Sequence, residues 1–185
     1  MCGIIAVFGE ERDVPTDLLS HRGPDDYRTE TMGKCRMDFY RLAINDLSAA
    51  GMQPFVRPNR MFVCNGEIYD HRSFRSGDER SKSDCEVVMN LVHTIGIENT
   101  VKSINGDFAM VYTDGKRVLA ARDPVGVRPL FYTHYAKGSI AFASEAKALV
   151  FLGTRIEIFP PGHFYDSYVN TFICYHTGYW NVHKF

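Results

Sequence analysis

Apolar positions in this chain fall into short runs, bounded by Gly, Asp, Asn and Pro, rather than into long helical stripes. Such runs predict strands at residues 3–8, 35–43, 60–64, 108–113, 117–121, 130–135, 139–143, 162–165 and 170–175. Asp114-Gly115 separates two of them with a strong hairpin dipeptide, and Lys137-Gly138 closes another pair. Helical spacing is clearest at 84–94, where Val87, Val88, Leu91 and Val92 share roughly one face behind a Ser83 or Asp84 cap. A short helix at 145–151, capped by Ser144, and a third at 96–104 complete the expectation. Antiparallel hairpins covered by a few helices predict an α+β layered domain. There is no βαβ alternation and no glycine-rich phosphate loop.

Composition narrows the function classes. The 185 residues suffice for one domain that buries about two-thirds of its unfolded surface. A net charge of −1 gives no support to nucleic acid or an anionic membrane as partner. No apolar run reaches the roughly 18–20 residues of a membrane span, and the start lacks the layout of a signal peptide. The cysteines at 2, 35, 64, 85 and 174 are odd in number and contain no CxxC pair. Reduced thiols in the cytoplasm are expected, rather than a zinc site or a disulfide framework.

Candidate chemistry begins at Cys2. With Met1 trimmed, this residue carries both a thiol and the α-amino group, with reference pKa values of about 8.5 and roughly 7.7–8.0. An N-terminal amine is a competent activator of such a nucleophile. Polar clusters interrupt the strand-rich pattern at His21-Arg22-Gly23-Pro24-Asp25-Asp26, at Asn65-Gly66-Glu67-Ile68-Tyr69 and at Ser83-Asp84-Cys85-Glu86. Arg41 adds a cation inside an apolar run. Singly, each has an ordinary structural explanation: a turn, a hairpin, an N-cap, a solvated strand face. Together they supply the parts of an amide hydrolase. Cys2 is nucleophile and base. The Asn65 carboxamide and the Gly66 N–H form an oxyanion hole. Arg41 clamps a carboxylate bidentately, and Asp84 accepts from an ammonium. A substrate with a carboxylate, an ammonium and a reactive amide is glutamine.

At the level of motifs the chain resembles the glutaminase domain of class II glutamine amidotransferases, which are N-terminal-nucleophile hydrolases. The asparagine-synthetase type is the nearest in pattern. The resemblance rests on Met1-Cys2-Gly3-Ile4, His21-Arg22-Gly23-Pro24-Asp25, Arg41-Leu42-Ala43-Ile44, Gln53-Pro54, Asn65-Gly66-Glu67-Ile68-Tyr69 and Ser83-Asp84-Cys85-Glu86-Val87. Further matches follow in Gly106-Asp107-Phe108-Ala109, the run from Ala121 to Leu130, the run from Phe142 to Leu149, and Pro160-Pro161-Gly162. They occur in the family's order along almost the whole chain.

The resemblance implies a four-layer αββα sandwich of two antiparallel sheets, with residues 1–185 forming one glutaminase domain. It implies Cys2 as nucleophile, Asn65 and Gly66 as oxyanion hole, and Arg41 as carboxylate clamp. The backbone of Leu42, Ala43, Ile44 and Asn45 lines the pocket, and Glu67 and Asp84 receive the substrate's α-amino group. The 22–25 loop borders the site, while residues 122–130 and 144–149 are structural. No metal or organic cofactor is expected. The expected partners are L-glutamine and a synthetase domain or subunit that accepts ammonia; no Ser-Gly-Gly-x-Asp-Ser pyrophosphatase loop is present, so ATP and aspartate chemistry is expected elsewhere. The sequence departs from the family pattern in short stretches at 8–21 and 70–83, in Asn45 where a small apolar residue is usual, and in Asp70 where Asn is common. A non-catalytic glutamine-binding module and an amidohydrolase for another amide are the alternatives. Apolar residues near the C-terminal strand (Phe172, Ile173, Tyr175, Tyr179, Trp180) belong either to a core strand or to a partner face.

Overall fold

The computed structural model describes residues 1–10, 12–15, 17–153 and 155–177; Tyr179 and Trp180 lie outside this range. Two six-stranded antiparallel sheets stack face to face. The first runs β10-β8-β9-β1-β3-β2, built from β1 (Gly3–Phe8), β2 (Asp26–Met32), β3 (Cys35–Arg41), β8 (Phe131–Ala136), β9 (Ser139–Ala143) and β10 (Glu157–Ile158). The second runs β12-β11-β7-β6-β5-β4, built from β4 (Phe55–Arg57), β5 (Arg60–Ile68), β6 (Gly106–Thr113), β7 (Val118–Arg122), β11 (His163–Asp166) and β12 (Thr171–Cys174).

The central strands read as near-continuous apolar runs because both faces of each sheet are covered there. Along β1, Ile4, Ala6 and Phe8 point into the space between the sheets. They meet Met61 and Val63 of β5, Ala109 and Val111 of β6, and Ala120 of β7. The alternate residues Ile5 and Val7 point outward, against Leu19, Ala148 and Leu149. The outer face of the second sheet is closed by α1 (Asp84–Ser103), whose Val88, Met89 and Val92 pack on Phe62, Cys64, Phe108 and Met110. Ser83 Oγ accepts from Cys85 N–H at 3.3 Å, which is the expected N-cap, and Asp84 and Glu86 sit favourably in the first turn. The expected helices at 84–94 and 96–104 form one element broken at Gly96, whose φ of 81° and ψ of 161° are non-helical. No atom lies within 4 Å of a Cβ built there, so conformation, not space, selects glycine.

Three strands escaped the sequence pattern. β2 is a sheet edge with alternating exposure and charged side chains, so it lacks the apolar signature. β4 and β10 are three and two residues long. The layer over the first sheet also differs from expectation. The helix at 145–151 is a 3-10 turn at Ala146–Leu149, and Ser144 does not cap it. Instead Ser144 Oγ accepts from Ile4 N–H at 3.0 Å, pinning β1. The short 8–21 stretch forms turns, among its described residues, rather than a helix. No helix among the described residues is long and apolar enough to cross a membrane.

Candidate active site

Segments far apart in the chain converge at one end of the sandwich. Gly3 of β1 pairs with Tyr40 of β3, so Cys2 comes beside Arg41 and Leu42. β5 carries Asn65 and Gly66, and the first residue of α1 is Asp84. These elements enclose a cavity of about 110 Å³. Every expected site residue lines it: Cys2, Asn65 and Gly66, Arg41 with Leu42, Ala43, Ile44 and Asn45, and Glu67 with Asp84.

Cys2 is half-buried. Its Sγ accepts from Leu42 N–H at 3.4 Å and lies 3.5 Å from Leu42 O. Burial pushes the thiol's pKa up, while the Leu42 N–H, the chain-terminal ammonium and Arg128 pull it down without reversing the shift. A thiol in that state is a poor thiolate, and to act as a nucleophile it would need a base. Its backbone is held by Arg22, whose Nε donates to Cys2 O at 3.0 Å. The same guanidinium pairs with Glu145 at 3.1 Å, and His21 reaches Glu145 at 2.9 Å. The 22–25 loop thus borders the site as expected, and Asp25 accepts from Ala43 N–H at 2.8 Å.

Burial alone would raise the Glu145 pKa. Hydrogen bonds from His21, Arg22 and Lys147 outweigh it and hold the carboxyl down at about 2. A carboxylate depressed in the folded state contributes stability above its unfolded pKa, about 4.3, and loses it as pH falls toward 2. In acid titrations followed by circular dichroism, Glu145→Gln is therefore expected to flatten the stability curve between about pH 4.3 and 2. An unaltered acid limb would contradict the assigned network.

Asn65-Gly66 has the composition of a hairpin turn but lies within a strand: Asn65 opposes Ala109 and Gly66 opposes Phe108. A Cβ at Gly66 would fall 2.4 Å from Asp107 O and 2.8 Å from Phe108 Cα. The glycine is thus required by the closeness of β6, not only by access for a ligand. Asn65 is 2% exposed, and its Nδ2 has no hydrogen-bond partner among the described residues. Buried amide donors are nearly always paired, so leaving this one without a partner carries a cost.

Sequence reasoning missed two contributors. Gln53 grips the β5 backbone one residue before Asn65: its Oε1 accepts from Cys64 N–H at 2.6 Å and its Nε2 donates to Cys64 O at 3.2 Å. Arg128 also lines the cavity, although the 122–130 segment was expected to be purely structural. The rest of that expectation fits: Asp123 caps the turn through Val125, Gly126, Val127 and Arg128 N–H groups at 2.6–3.1 Å. Arg128 Nε is tied to Asp107 at 2.9 Å, which in turn accepts from Glu67 N–H at 3.1 Å. Only the Gln53-Pro54 and Arg-Pro motifs hinted at either residue.

Arg41 is buried, and its Nη2 donates to the carbonyls of Asp46 and Ser48, the latter at 3.0 Å. It straps the loop after β3 as well as facing the cavity. Asp84, 4% exposed, accepts from Ile68 N–H at 2.8 Å and from Asn45 Nδ2 at 3.2 Å. Glu67 is exposed at the cavity rim. Among the described residues no cluster of three or more His, Cys, Asp or Glu is arranged to hold a metal.

Comparison with known proteins places the chain in a family. The family model described as the glutamine amidotransferase domain matches residues 1–176. The asparagine synthetase [glutamine-hydrolyzing] of Homo sapiens is 38% identical over 187 aligned positions, covering 89% of this chain and 33% of that protein. A probable asparagine synthetase [glutamine-hydrolyzing] of Acanthamoeba polyphaga mimivirus is 37% identical over 183 positions, with the same coverage. The chain therefore spans about a third of the length of these relatives. Among solved structures, the allosteric regulatory enzyme of purine biosynthesis superposes with a TM-score of 0.76 at 17% identity, covering 96% of this chain and 50% of that one. The B. subtilis glutamine phosphoribosylpyrophosphate amidotransferase gives 0.74 at 17% identity, with the same coverage. At that identity the likeness shows the fold. With almost the whole chain matched, this protein belongs to the glutamine amidotransferase domain family.

Proposed function

We propose that this domain hydrolyses the side-chain amide of L-glutamine to glutamate and ammonia, for use by an asparagine-synthetase-type reaction on another domain or subunit. The observation that carries the reading is the buried, unpartnered Asn65 Nδ2 in the same cavity as the Cys2 thiol. In this reading Met1 is removed and the freed Cys2 amine takes the thiol proton. The thiolate attacks the amide carbonyl carbon, and Asn65 with the Gly66 N–H stabilises the oxyanion. Collapse of the tetrahedral intermediate breaks the C–N bond, the amine returns the proton to ammonia, and a γ-glutamyl thioester remains. Water attacks the thioester through a second oxyanion, releasing glutamate and the thiol. The raised pKa of Cys2 supports the need for an adjacent base. Arg41 receives the substrate carboxylate, and Asp84 with Glu67 receives its ammonium. The five unpaired thiols support a reducing, cytoplasmic location.

The test is release of equimolar ammonia and glutamate from L-glutamine by protein whose intact mass shows Cys2 as the first residue. No release from that form would reject the reading, and so would equal activity in the Met1-bearing form. Arg41→Ala is expected to raise KM for glutamine at least tenfold, more than it lowers kcat, because the clamp binds ground and transition states alike. A change confined to kcat would contradict the clamp.

A further inference from the structure

We infer that the Asn45 side chain is a positioning residue for Asp84, fixing the carboxylate oxygen that meets the substrate's ammonium. The inference rests on the glutamine reading and adds a side-chain role to a residue assigned only through its backbone.

Asp84 is a buried carboxylate at the cavity wall, and no cation pairs with it among the described residues. Among the described residues two neutral donors hold it: Ile68 N–H on Oδ2 at 2.8 Å and Asn45 Nδ2 on Oδ1 at 3.2 Å. A buried charge without a counterion suits an incoming ammonium. The two donors have different duties. Ile68 N–H belongs to the end of β5 and is a fixed backbone group. It anchors one oxygen, but the terminal torsion of Asp is broad and roughly two-fold, so one anchor leaves the carboxylate plane free to turn. Asn45 supplies the second anchor from across the cavity.

The chemistry of Asn45 fits that duty. A neutral amide donor orients a carboxylate without cancelling its charge. A carboxylate offers about four lone-pair sites, so Oδ1 can accept from Asn45 and from a ligand together. A lysine at this position would place its own ammonium on Asp84, and an aliphatic side chain would leave Oδ1 unanchored. The loop bearing Asn45 is itself held: Arg41 binds the Asp46 and Ser48 carbonyls, and Asp46 Oδ2 accepts from Lys82 N–H at 2.8 Å, two residues before Asp84. Asn45 therefore reaches Asp84 from a braced position, although its own side chain is exposed.

Two ligands separate this role from simple loop bracing: L-glutamine, and glutaramate, which keeps the amide and carboxylate but lacks the α-amino group. Asn45→Leu keeps the side-chain shape and removes the donor. It is expected to raise KM for glutamine about tenfold, more than it lowers kcat, while the competitive inhibition constant of glutaramate moves less than about twofold. Asn45→Lys is expected to give a larger rise in KM and to erase the preference for glutamine over glutaramate. Equal changes for both ligands, or an unchanged KM for glutamine, would overturn the assignment. Asn45→Ala serves the same comparison if the leucine variant does not fold. Wild-type protein inert toward glutamine would instead reject the glutaminase reading, so the two failures are distinguishable.

Discussion

Replacing Cys2 with alanine is expected to abolish ammonia release from glutamine while leaving the fold intact. The Sγ makes long polar contacts, at 3.4 and 3.5 Å, with the Leu42 backbone, and Cys2 packs at the margin of the inter-sheet core. Its loss should cost about 1 kcal/mol or less, which shifts the melting temperature of a domain this size by about 2–4 °C. The site's frame is kept by other bonds: Arg22 on the Cys2 carbonyl and Ser144 on Ile4 do not involve the thiol. The chemical loss is of another order. Deleting a nucleophile that acts as a unit with its base costs about 10⁶ in kcat. A stopped assay for ammonia, run beside thermal melting, decides the matter; turnover that survives in a folded Cys2→Ala protein would sink the mechanism.

The second large effect is expected at Asn65. Asn65→Ala should lower kcat about 10²–10³-fold, equivalent to roughly 2.7–4 kcal/mol of transition-state stabilisation. KM should change far less, because the donor is aimed at charge that develops only during reaction. Stability should not follow activity. Nδ2 is buried without a partner, and an unsatisfied donor of this kind costs about 1–3 kcal/mol in the resting protein. Alanine removes that cost, offset by a small cavity, so the melting temperature is expected to stay close to wild type or to rise. Parallel loss of kcat and of stability would mark Asn65 as a structural residue and remove it from the oxyanion hole.

Much of the fold is legible in the sequence, for a physical reason. Strands such as β1 and β9 are buried along their whole length, so nearly every position is small or apolar and the boundaries emerge from the sequence. β2 was illegible because an edge strand is free to be polar on nearly every residue. The 145–151 segment reads as a short helix behind Ser144, but it packs onto β8 and β9 as a 3-10 turn at Ala146–Leu149 and Ser144 is taken up by Ile4 N–H. At the site, residue types were readable and proximity was not. Cys2, Arg41, Asn65 and Asp84 come from separate elements; their combined chemistry and their match to an ordered set of motifs joined them, not any local pattern. The same limit hid Gln53 and Arg128. Their contribution depends on which backbone and which cavity they face, and no local pattern encodes that. Asn65-Gly66 shows the converse hazard: a dipeptide that spells a turn sits in the middle of β5.

The interruption at Gly96 has a consequence for how the protein opens. Helical cooperativity passes along the hydrogen-bond ladder, and a residue at φ 81° and ψ 161° stops it. The length after Gly96, anchored by Ile97 and Val101, can fray without unwinding the length before it, which carries Asp84 and is anchored by Val88, Met89 and Val92. Local opening of the length after Gly96 is therefore expected to end short of the cavity. One glycine acts as a firebreak, letting the far end of the helix breathe while the carboxylate at its beginning stays in register with the strand beneath it.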